Sequence, residues 1–387
     1  TRFGPFRGAG RHRDRGTMTG DAPEILALTR HGRMGASSRV RIMQFAPYFE
    51  AAGLRLTIAP FVDDAYLAQT YAGRRPIGAT LGAYLRRART MARARPAAFW
   101  LQRECMPWVP WSVERALLSG PTPIVTDFDD AVFHSYDLHR LRLVRALYGR
   151  KIDRFMARAD AVLAGNAYLA DRARRAGAAD VRIVPTVLDT DRYVPPSPRA
   201  PSAAVTVGWM GSPSTYKAYI APRLDRLEAL MRKTGARLMI VGAGPATVDT
   251  DVTTHLAWSE EGEVDAIQQM DIGIMPLTSD SWTLGKCGYK LLQYMACARA
   301  VVASPVGVNS EIVAPGDNGL FAESLNDWDA ALTRLIEDAD LRARLGAAGR
   351  RSVVARYSTQ AIGPQITTFF RNLVAPAAAE FPPGEAA

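Results

Sequence analysis

Residues 285–296 read GKCGYKLLQYMA, a loop with two glycines that leads into a helix with one apolar face. Short apolar runs on either side predict strands at Asp271–Met275 and Ala300–Ala303. A strand, a helix and a second strand in this order form the repeating unit of a parallel sheet covered by helices. From this stretch we predict an α/β fold.

The same alternation of apolar runs and helical segments extends outward along the rest of the chain. Six strands are predicted in the first half, at Glu24–Thr29, Arg55–Ala59, Ala98–Gln102, Pro123–Asp127, Asp160–Ala164 and Val181–Val184. Helices are predicted between them, including Ser38–Ala52 and Leu141–Ala157. A Pro-rich break at residues 195–201 precedes a restart of the pattern, with strands at Ala204–Met210 and Arg237–Val241. We therefore expect two similar doubly wound units joined by a stiff linker.

The length of 387 residues also favours two domains, because one hydrophobic core rarely serves a chain of this size. We expect a disordered leader at 1–17, a first Rossmann-like domain at 18–197, a second at 203–358, a helix at 359–374 and a disordered tail at 375–387. Open α/β sheets bind ligands at the carboxyl ends of their strands. A cleft between the two domains is therefore the expected binding site.

The chain carries a net charge of +10, and its arginines concentrate at residues 86–95 and 140–158. These clusters have three interpretations: they form a solvated face, they bind an anionic membrane surface, or they bind a nucleic acid. No recognition helix, zinc finger or RNA-binding signature accompanies the arginines, so we expect no nucleic-acid partner. Peripheral contact with an anionic membrane stays open as a hypothesis, supported by Trp108 and Trp111, which we expect to be exposed.

The hydrophobic and charged fractions, 48% and 22%, are typical of a soluble globular protein. No apolar run approaches the roughly 20 residues that cross a bilayer. Cys105, Cys287 and Cys297 form neither a metal-ligand spacing nor a disulfide framework, which indicates a reducing cytoplasm. We expect a cytoplasmic protein, at the inner face of the cytoplasmic membrane if the membrane hypothesis holds.

The loop at Gly285 and the helix after it form the strongest candidate anion site. Glycines permit close backbone approach, and the free N–H groups of a helix's first turn attract an anion. Lys286 and Lys290 add positive charge in a chain with only five lysines. The alternative is an amphipathic helix with two solvated lysines. The residues assigned to this site are Lys286, Cys287, Gly288, Tyr289 and Lys290.

Two other turns offer glycines, hydroxyls and cations where a predicted strand gives way to a helix. The candidates are Gly211, Ser212 and Lys217 in the second unit and Gly35, Ser38 and Arg39 in the first. A plain Ser-capped turn is the alternative for the second unit, and the first turn is no more specific than any other first βα turn. Trp258 can stack on a nucleotide base, with buried packing as the alternative.

Several stretches, taken in order and at their spacings, resemble the GT-B glycosyltransferases, specifically the retaining family 4 (glycosyl transferases group 1). They are residues 37–41, 127–130, 184–189, 208–217, 271–277 and 301–307, and the resemblance extends from Met18 to about Leu373. It implies a GT-B architecture, in which two Rossmann-like domains face a central cleft. It also implies a retaining, metal-independent enzyme of the hexosyltransferase type, with a role in glycan or glycoconjugate biosynthesis.

The resemblance implies partners and roles as well. A UDP, GDP or dTDP sugar would bind mainly to the second domain, with no other cofactor, and a sugar or lipid-linked acceptor to the first. The helix at 359–374 would return to the first domain. Lys217 would neutralise the diphosphate, and residues 286–289 would contact the sugar and phosphate of the nucleotide sugar. We expect Lys290, which belongs to the anion site predicted from the residues themselves, to act on the diphosphate as well.

Asp127, Asp129 and Asp130 follow a predicted strand and are expected to face the cleft. We favour a sugar-facing or acid/base role for Asp129, which falls where many relatives place a histidine or aspartate near the reacting sugar. A carboxylate that caps the next helix and a divalent-metal site are the alternatives. We expect no metal, because basic and backbone groups already suffice for a diphosphate.

The sequence departs from the family at two positions. The family's usual glutamates, seven residues apart, would fall at Lys286 and Gln293. Gln293 can still hydrogen-bond the ribose hydroxyls without a charge, whereas Lys286 reverses the charge beside the transferred sugar. We interpret this as a variant nucleotide-sugar site. A non-catalytic nucleotide-sugar-binding protein and a GT-B-type epimerase or hydrolase are the alternatives.

Overall fold

The computed structural model describes residues 22–71, 77–197, 204–245 and 247–375. The predicted leader, most of the Pro-rich break and the tail beyond residue 375 lie outside the described residues. Among the helices of the described part, none is long and apolar enough to cross a membrane.

The first domain is built on a parallel sheet. Its strands are β1 (Glu24–His31), β2 (Arg55–Val62), β3 (Ala98–Gln102), β4 (Ile124–Phe128), β5 (Ala161–Ala164) and β6 (Val181–Ile183). They lie in the order β2-β1-β3-β4-β5-β6. Its helices are α1 (Ala36–Arg41), α2 (Ala46–Ala51), α3 (Asp64–Tyr71), α4 (Ile77–Arg93), α5 (Trp111–Leu117), α6 (His134–Asp137), α7 (Arg142–Tyr148), α8 (Lys151–Arg158) and α9 (Ala167–Ala176).

The second domain repeats this design. Its strands are β7 (Thr206–Met210), β8 (Arg237–Val241), β9 (Thr253–Leu256), β10 (Ile272–Met275), β11 (Ala300–Ala303) and β12 (Leu320–Phe321), in the order β12-β11-β10-β7-β8-β9. Its helices are α10 (Pro213–Thr215), α11 (Leu224–Thr234), α12 (Glu263–Gln268), α13 (Ser281–Leu284), α14 (Tyr289–Ala296), α15 (Asn309–Ile312), α16 (Leu325–Glu337) and α17 (Ala339–Arg356), followed by α18 (Thr359–Val374).

The predicted α/β class with two doubly wound units is confirmed, and each predicted strand is present within a few residues of its expected bounds. The central strands are buried along their whole length, as β3, β4, β7 and β10 illustrate. This is why they read as continuous apolar runs. Strands β9 and β12 were not predicted; they are short and lie at the two edges of the second sheet.

Two helices that were predicted as continuous are interrupted. The segment Ser38–Ala52 divides into α1, a 3₁₀ turn at Met43–Phe45 and α2, whose first turn contains Pro47. Proline lacks the N–H that a continuing helix needs, so the chain restarts there. The segment Leu141–Ala157 divides into α7 and α8 around Gly149, a weak helix former.

The last helix packs against the first domain. The ring of Phe370 on α18 lies 4.9 Å from Trp100 and 5.3 Å from Phe49, measured between centroids. The backbone N–H of Leu188 donates to Tyr357, and the N–H of Thr359 donates back to Leu188. The chain therefore ties its second domain to its first through an apolar contact and two hydrogen bonds.

Candidate active site between the two domains

A cavity of about 1180 Å³ lies between the carboxyl ends of the two sheets. Both domains line it, the first through α1 and the residues after β4, the second through the turns after β7, β8 and β9 and the start of α14. Most of the predicted site residues are among its walls: Arg39, Asp129, Gly211, Ser212, Trp258, Lys286, Cys287, Gly288, Tyr289, Lys290 and Gln293. The cavity therefore brings the strand ends of both domains together at one site.

Three predicted site residues do not line the cavity. The buried Ser38 donates to Gln102 Oε1 at 2.8 Å and accepts from the backbone N–H of His31, so its hydroxyl braces β1 against β3. Gly35 is buried at the start of α1, where a Cβ would lie 2.5 Å from the Cβ of His31. Lys217 is exposed on a π-helical turn, Tyr216–Ile220, because the chain continues as a helix after Pro213 and carries this side chain outward.

The start of α14 is shaped by Gly288. This residue adopts a φ of 68°, and a Cβ there would collide with Ile312 Cδ1. Only glycine meets both conditions, so the backbone can turn directly into the helix beside the cavity. The first N–H groups of a helix lack intrahelical acceptors, which leaves the first turn of α14 able to bind an anion.

The loop before α14 is held by the first domain. Asn166 Nδ2 donates to the carbonyl oxygens of Lys286 at 2.9 Å and Leu284 at 3.1 Å. The Cys287 thiol donates to the carbonyl oxygen of Asp129 at 3.2 Å. Burial raises the pKa of this thiol, which keeps it neutral and able to donate. Cys287 therefore positions the loop against β4 rather than presenting a nucleophile.

Lys290 is the cation with the most perturbed environment in the cavity. Its Nζ lies 5.7 Å from the centroid of the Trp209 ring. Burial, and then the neighbouring charge of Lys286, lower the pKa of Lys290 to about 8, against a smaller opposing effect of Asp130. A bound anion would place negative charge beside this amine and would favour its protonated form.

The aspartates at the end of β4 and just after it are each paired with arginine. Arg103 Nη2 lies 2.8 Å from Asp129 Oδ1 and 3.2 Å from Asp130 Oδ2. Arg41, further from the cavity, donates to both oxygens of Asp127, at 2.8 and 2.9 Å. Among the described residues, no three His, Cys, Asp or Glu side chains lie together as metal ligands.

Asp129 and Asp130 differ in acidity. Burial opposes the ionisation of Asp129, but the charge of Arg103 and a hydrogen bond from Ser37 outweigh it and lower its pKa. Burial and the adjacent charge of Asp129 raise the pKa of Asp130. Asp129 is therefore the more acidic of the two carboxylates at this wall of the cavity and is ionised at neutral pH. Sequence reasoning missed Arg103, whose φ of 70° is unusual for a side chain other than glycine and has no signature in the sequence.

A second missed group surrounds Glu263, which is 2% exposed and lines the cavity. Its Oε2 accepts from Trp258 Nε1 at 3.1 Å and from Gln293 Nε2 at 3.4 Å. Gln293 also donates to Tyr193 Oη at 3.0 Å. The amide at position 293 thus lies beside a carboxylate that comes from another helix, α12.

Arg39 faces this group from across the cleft. Its guanidinium lies 5.3 Å from the centroid of the Trp258 ring and within 3.8 Å of Glu263. Glu260 is 3.6 Å from Arg39 and 2.7 Å from Arg33. These ion pairs join α1 and the turn before it in the first domain to the start of α12 and the turn before it in the second. The acidic residues stand out in the sequence, but their partners lie too far along the chain to be paired with them by inspection.

The comparisons with known proteins agree with this architecture. The structure is similar to sucrose-phosphate synthase from Thermosynechococcus elongatus, with a TM-score of 0.67 and 17% identity over 91% of this chain and 99% of that one. It is also similar to HepE from Anabaena in complex with UDP-glucose, with a TM-score of 0.63 and 15% identity over 90% of this chain and 100% of that one. The fold is that of the GT-B glycosyltransferases. Residues 204–338 match the family model described as "Glycosyl transferases group 1".

Curated relatives match parts of the sequence. D-inositol 3-phosphate glycosyltransferase from Stackebrandtia nassauensis is 28% identical over 213 residues, 48% of this chain and 47% of the relative. Alpha-maltose-1-phosphate synthase from Mycolicibacterium smegmatis is 37% identical over 92 residues, 22% of this chain and 24% of the relative. The chain therefore spans about half the length, or less, of these two curated relatives.

Proposed function

We propose that this protein transfers a sugar from a nucleotide-diphosphate sugar to an acceptor hydroxyl, with retention of configuration and without a metal. The observation that carries the proposal is the arrangement across the cleft. Lys286, Lys290 and the first turn of α14 form a cationic wall on the second domain, and the ionised Asp129 lines the same cavity from the first domain. The family match of the second domain supports a nucleotide-sugar substrate, as does the similarity to a structure that contains UDP-glucose.

The diphosphate is assigned to the wall at α14. Two lysines and helix N–H groups converge there, and together they can neutralise the charge that develops as the sugar–phosphate bond breaks. Because these groups are fixed before the substrate arrives, little reorganisation is needed during the reaction. This arrangement makes a divalent cation dispensable for leaving-group stabilisation.

The nucleoside is assigned to the pocket between the turns after β7 and β8. Gly211 and Gly242 line it, and a Cβ on Gly242 would collide with the Gly211 carbonyl, so the two backbones meet closely. Trp258 presents an indole that Glu263 holds in place. Gln293 supplies an amide for the ribose hydroxyls, and the neighbouring Glu263 places a carboxylate where position 293 itself carries none.

Asp129 is assigned to the reacting sugar. Arg103 engages its Oδ1, which fixes the carboxylate as an ionised hydrogen-bond acceptor at the first-domain wall. From there it can accept a hydroxyl of the transferred sugar, and its negative charge favours the positive charge that grows on the sugar ring. The acceptor hydroxyl then enters on the face that the diphosphate vacates, as retention requires.

Calorimetric titration with UDP, GDP and dTDP tests this proposal, followed by turnover assays with a panel of nucleotide sugars and acceptors. We expect at least one nucleotide to bind, and Lys290→Ala to weaken its binding by about tenfold to a hundredfold, the worth of a charged hydrogen bond. Lys233→Ala, a change at an exposed lysine on α11, is the matched control and should bind normally. Absence of binding to all three nucleotides would refute the proposal, and binding without turnover for any pair would favour a non-catalytic role.

A further inference from the structure

The first domain exposes a run of leucines. Leu138, Leu141, Leu143 and Leu147 are each between 53% and 70% exposed. They lie on and just before α7, a helix with no buried residue. Four large apolar side chains are thus exposed within ten positions, and apolar side chains that are exposed together mark a surface for interaction. The segment therefore presents an apolar surface that no described part of the chain covers.

The same segment is strongly cationic. Residues 138–150 read LHRLRLVRALYGR, with four arginines and no acidic residue. The acidic residues nearest in sequence, Asp137 and Asp153, both form ion pairs with Arg172, at 2.9 and 2.6 Å. Arg140, Arg142 and Arg150 are exposed. Positive charge and apolar surface thus alternate along one short stretch.

Helix α4 carries the same combination. Leu81 and Leu85 are exposed one turn apart, beside the exposed Arg86 and Arg89. Residues 77–103 contain no acidic side chain. Tyr84 of this helix donates through its hydroxyl to the carbonyl of Pro107 at 2.6 Å. Helix α4 is thereby linked to the loop that leads into Trp108.

Trp108 connects the two segments. It is 47% exposed, and its ring lies 5.9 Å from His139 and 6.2 Å from Tyr148, both in the α7 region. Its backbone is held at a φ of 59° while its N–H donates to Tyr136 Oη. We define the leucine–arginine surface as the exposed residues of α4, Trp108 and residues 138–150.

We propose that the leucine–arginine surface docks this protein on an anionic lipid bilayer. Leucines can enter the boundary between headgroups and acyl chains, arginines pair with lipid phosphates, and a tryptophan is suited to the interface. A nucleic acid would use the arginines but gain nothing from the leucines. A second copy of the chain would bring like-charged arginines together, which opposes association. An anionic bilayer satisfies both components of the surface.

The proposal is independent of the sugar-transfer reaction, because it rests on surface residues alone. The two are nevertheless related in space, since α6 and α7 follow the strand end that carries Asp129. A bilayer on this surface would lie on the acceptor-binding domain.

Co-sedimentation of the full chain with vesicles tests the proposal. We expect the protein to bind vesicles of equimolar phosphatidylglycerol and phosphatidylcholine. Its affinity for vesicles of phosphatidylcholine alone should be lower by a factor of about ten or more. Added salt should weaken the binding by screening the arginines. The double variant Leu143→Glu/Leu147→Glu should lose at least about tenfold in partitioning, since it places charge in the apolar part. Leu325→Glu, at an exposed leucine of the second domain, is the matched control and should bind as the unaltered chain does.

The contrary outcomes are distinct. Equal binding of the double variant and the control would overturn the proposal, and so would failure to bind either type of vesicle. Dimers in sedimentation that disappear in the double variant would assign the surface to a second copy instead. UDP calorimetry on the same variants separates this proposal from the proposed function, because the surface changes should leave nucleotide binding unaltered.

Discussion

At the scale of single residues, Lys290 links the cavity to pH. Because the pKa of Lys290 is about 8, its ammonium group begins to lose a proton just above neutral pH when no ligand is bound. An anion binds the charged form better, so binding should raise this pKa towards its ordinary value. We expect UDP affinity to be highest below pH 8 and to fall above it by up to about tenfold per pH unit. Calorimetry across this range measures the effect, together with proton uptake on binding.

Lys290→Arg is the control for this titration, because arginine stays charged throughout the range. Its affinity should vary little with pH. A slope that persists in this variant would place the titrating group elsewhere.

Asp129 is expected to act on the reaction rather than on nucleotide binding. Asp129→Asn keeps the shape but removes the negative charge beside the reacting sugar. We expect turnover to fall by at least about a hundredfold, in the range typical of a positioned catalytic carboxylate, with UDP affinity nearly unchanged. Asp171→Asn, at an exposed aspartate of α9, should have normal turnover. A parallel loss of UDP affinity in Asp129→Asn would instead indicate a role in nucleotide binding.

Whether a cavity residue could be predicted depended on whether the features that identify it lie close to it in the sequence. Lys286, Lys290 and Gln293 were located because they lie within one short loop and helix. Ser38 was misplaced because its hydroxyl bonds to Gln102, 64 positions away, which no local pattern reveals. Arg103 was missed for the same reason, since its role depends on Asp129 across a strand pair.

At the scale of elements, the start of α14 depends on one glycine. Gly288→Ala would impose both a left-handed backbone on a side chain and a clash with Ile312. We expect a loss of about 1–3 kcal/mol in the free energy of unfolding, with weaker UDP binding because the helix start must shift. Chemical denaturation and calorimetry measure the two effects.

Gly316→Ala separates the two causes. Gly316 has a φ of 80°, but a Cβ there meets nothing within 4 Å. This variant should lose only the backbone contribution, about 1 kcal/mol, and should bind UDP normally. Equal effects of the two substitutions would mean that the contact with Ile312 is unimportant.

Strands could be predicted from the sequence where every residue of the strand is buried. Strands such as β3 and β10 are buried on both faces, so their apolar runs mark them clearly. Three of the four residues of the edge strand β9 are polar, and the strand depends on β8 for its hydrogen bonds, so its sequence carries no such signal. The helix boundary at Gly149 was overlooked because the apolar residues on either side keep helical spacing across it.

At the scale of the whole molecule, ion pairs cross the cleft. Glu260 forms ion pairs with Arg33 and Arg39 of the first domain, and these contacts hold the two domains together at the cleft. Partly exposed pairs of this kind contribute about 0–1 kcal/mol each. We expect Glu260→Gln to open the cleft modestly and to speed UDP association by a factor of about two to five. Stopped-flow association and small-angle scattering measure the two changes.

Glu261→Gln is the matched control, since this neighbouring glutamate is exposed and does not line the cavity. Its association rate should equal that of the unaltered protein. A Glu260→Gln variant with unchanged rate and unchanged dimensions would show that the ion pairs do not restrict the cleft.

The return of α18 to the first domain has a consequence for biosynthesis. Phe49 and Trp100 belong to the part of the chain that a ribosome releases first, whereas Phe370 emerges only after the whole second domain. Until then the nascent first domain displays an uncovered aromatic patch, the kind of transient surface that recruits chaperones or aggregates. The first domain can therefore complete its core only after the final helix has been synthesised. Premature termination before Thr359 would leave the aromatic patch of the first domain uncovered.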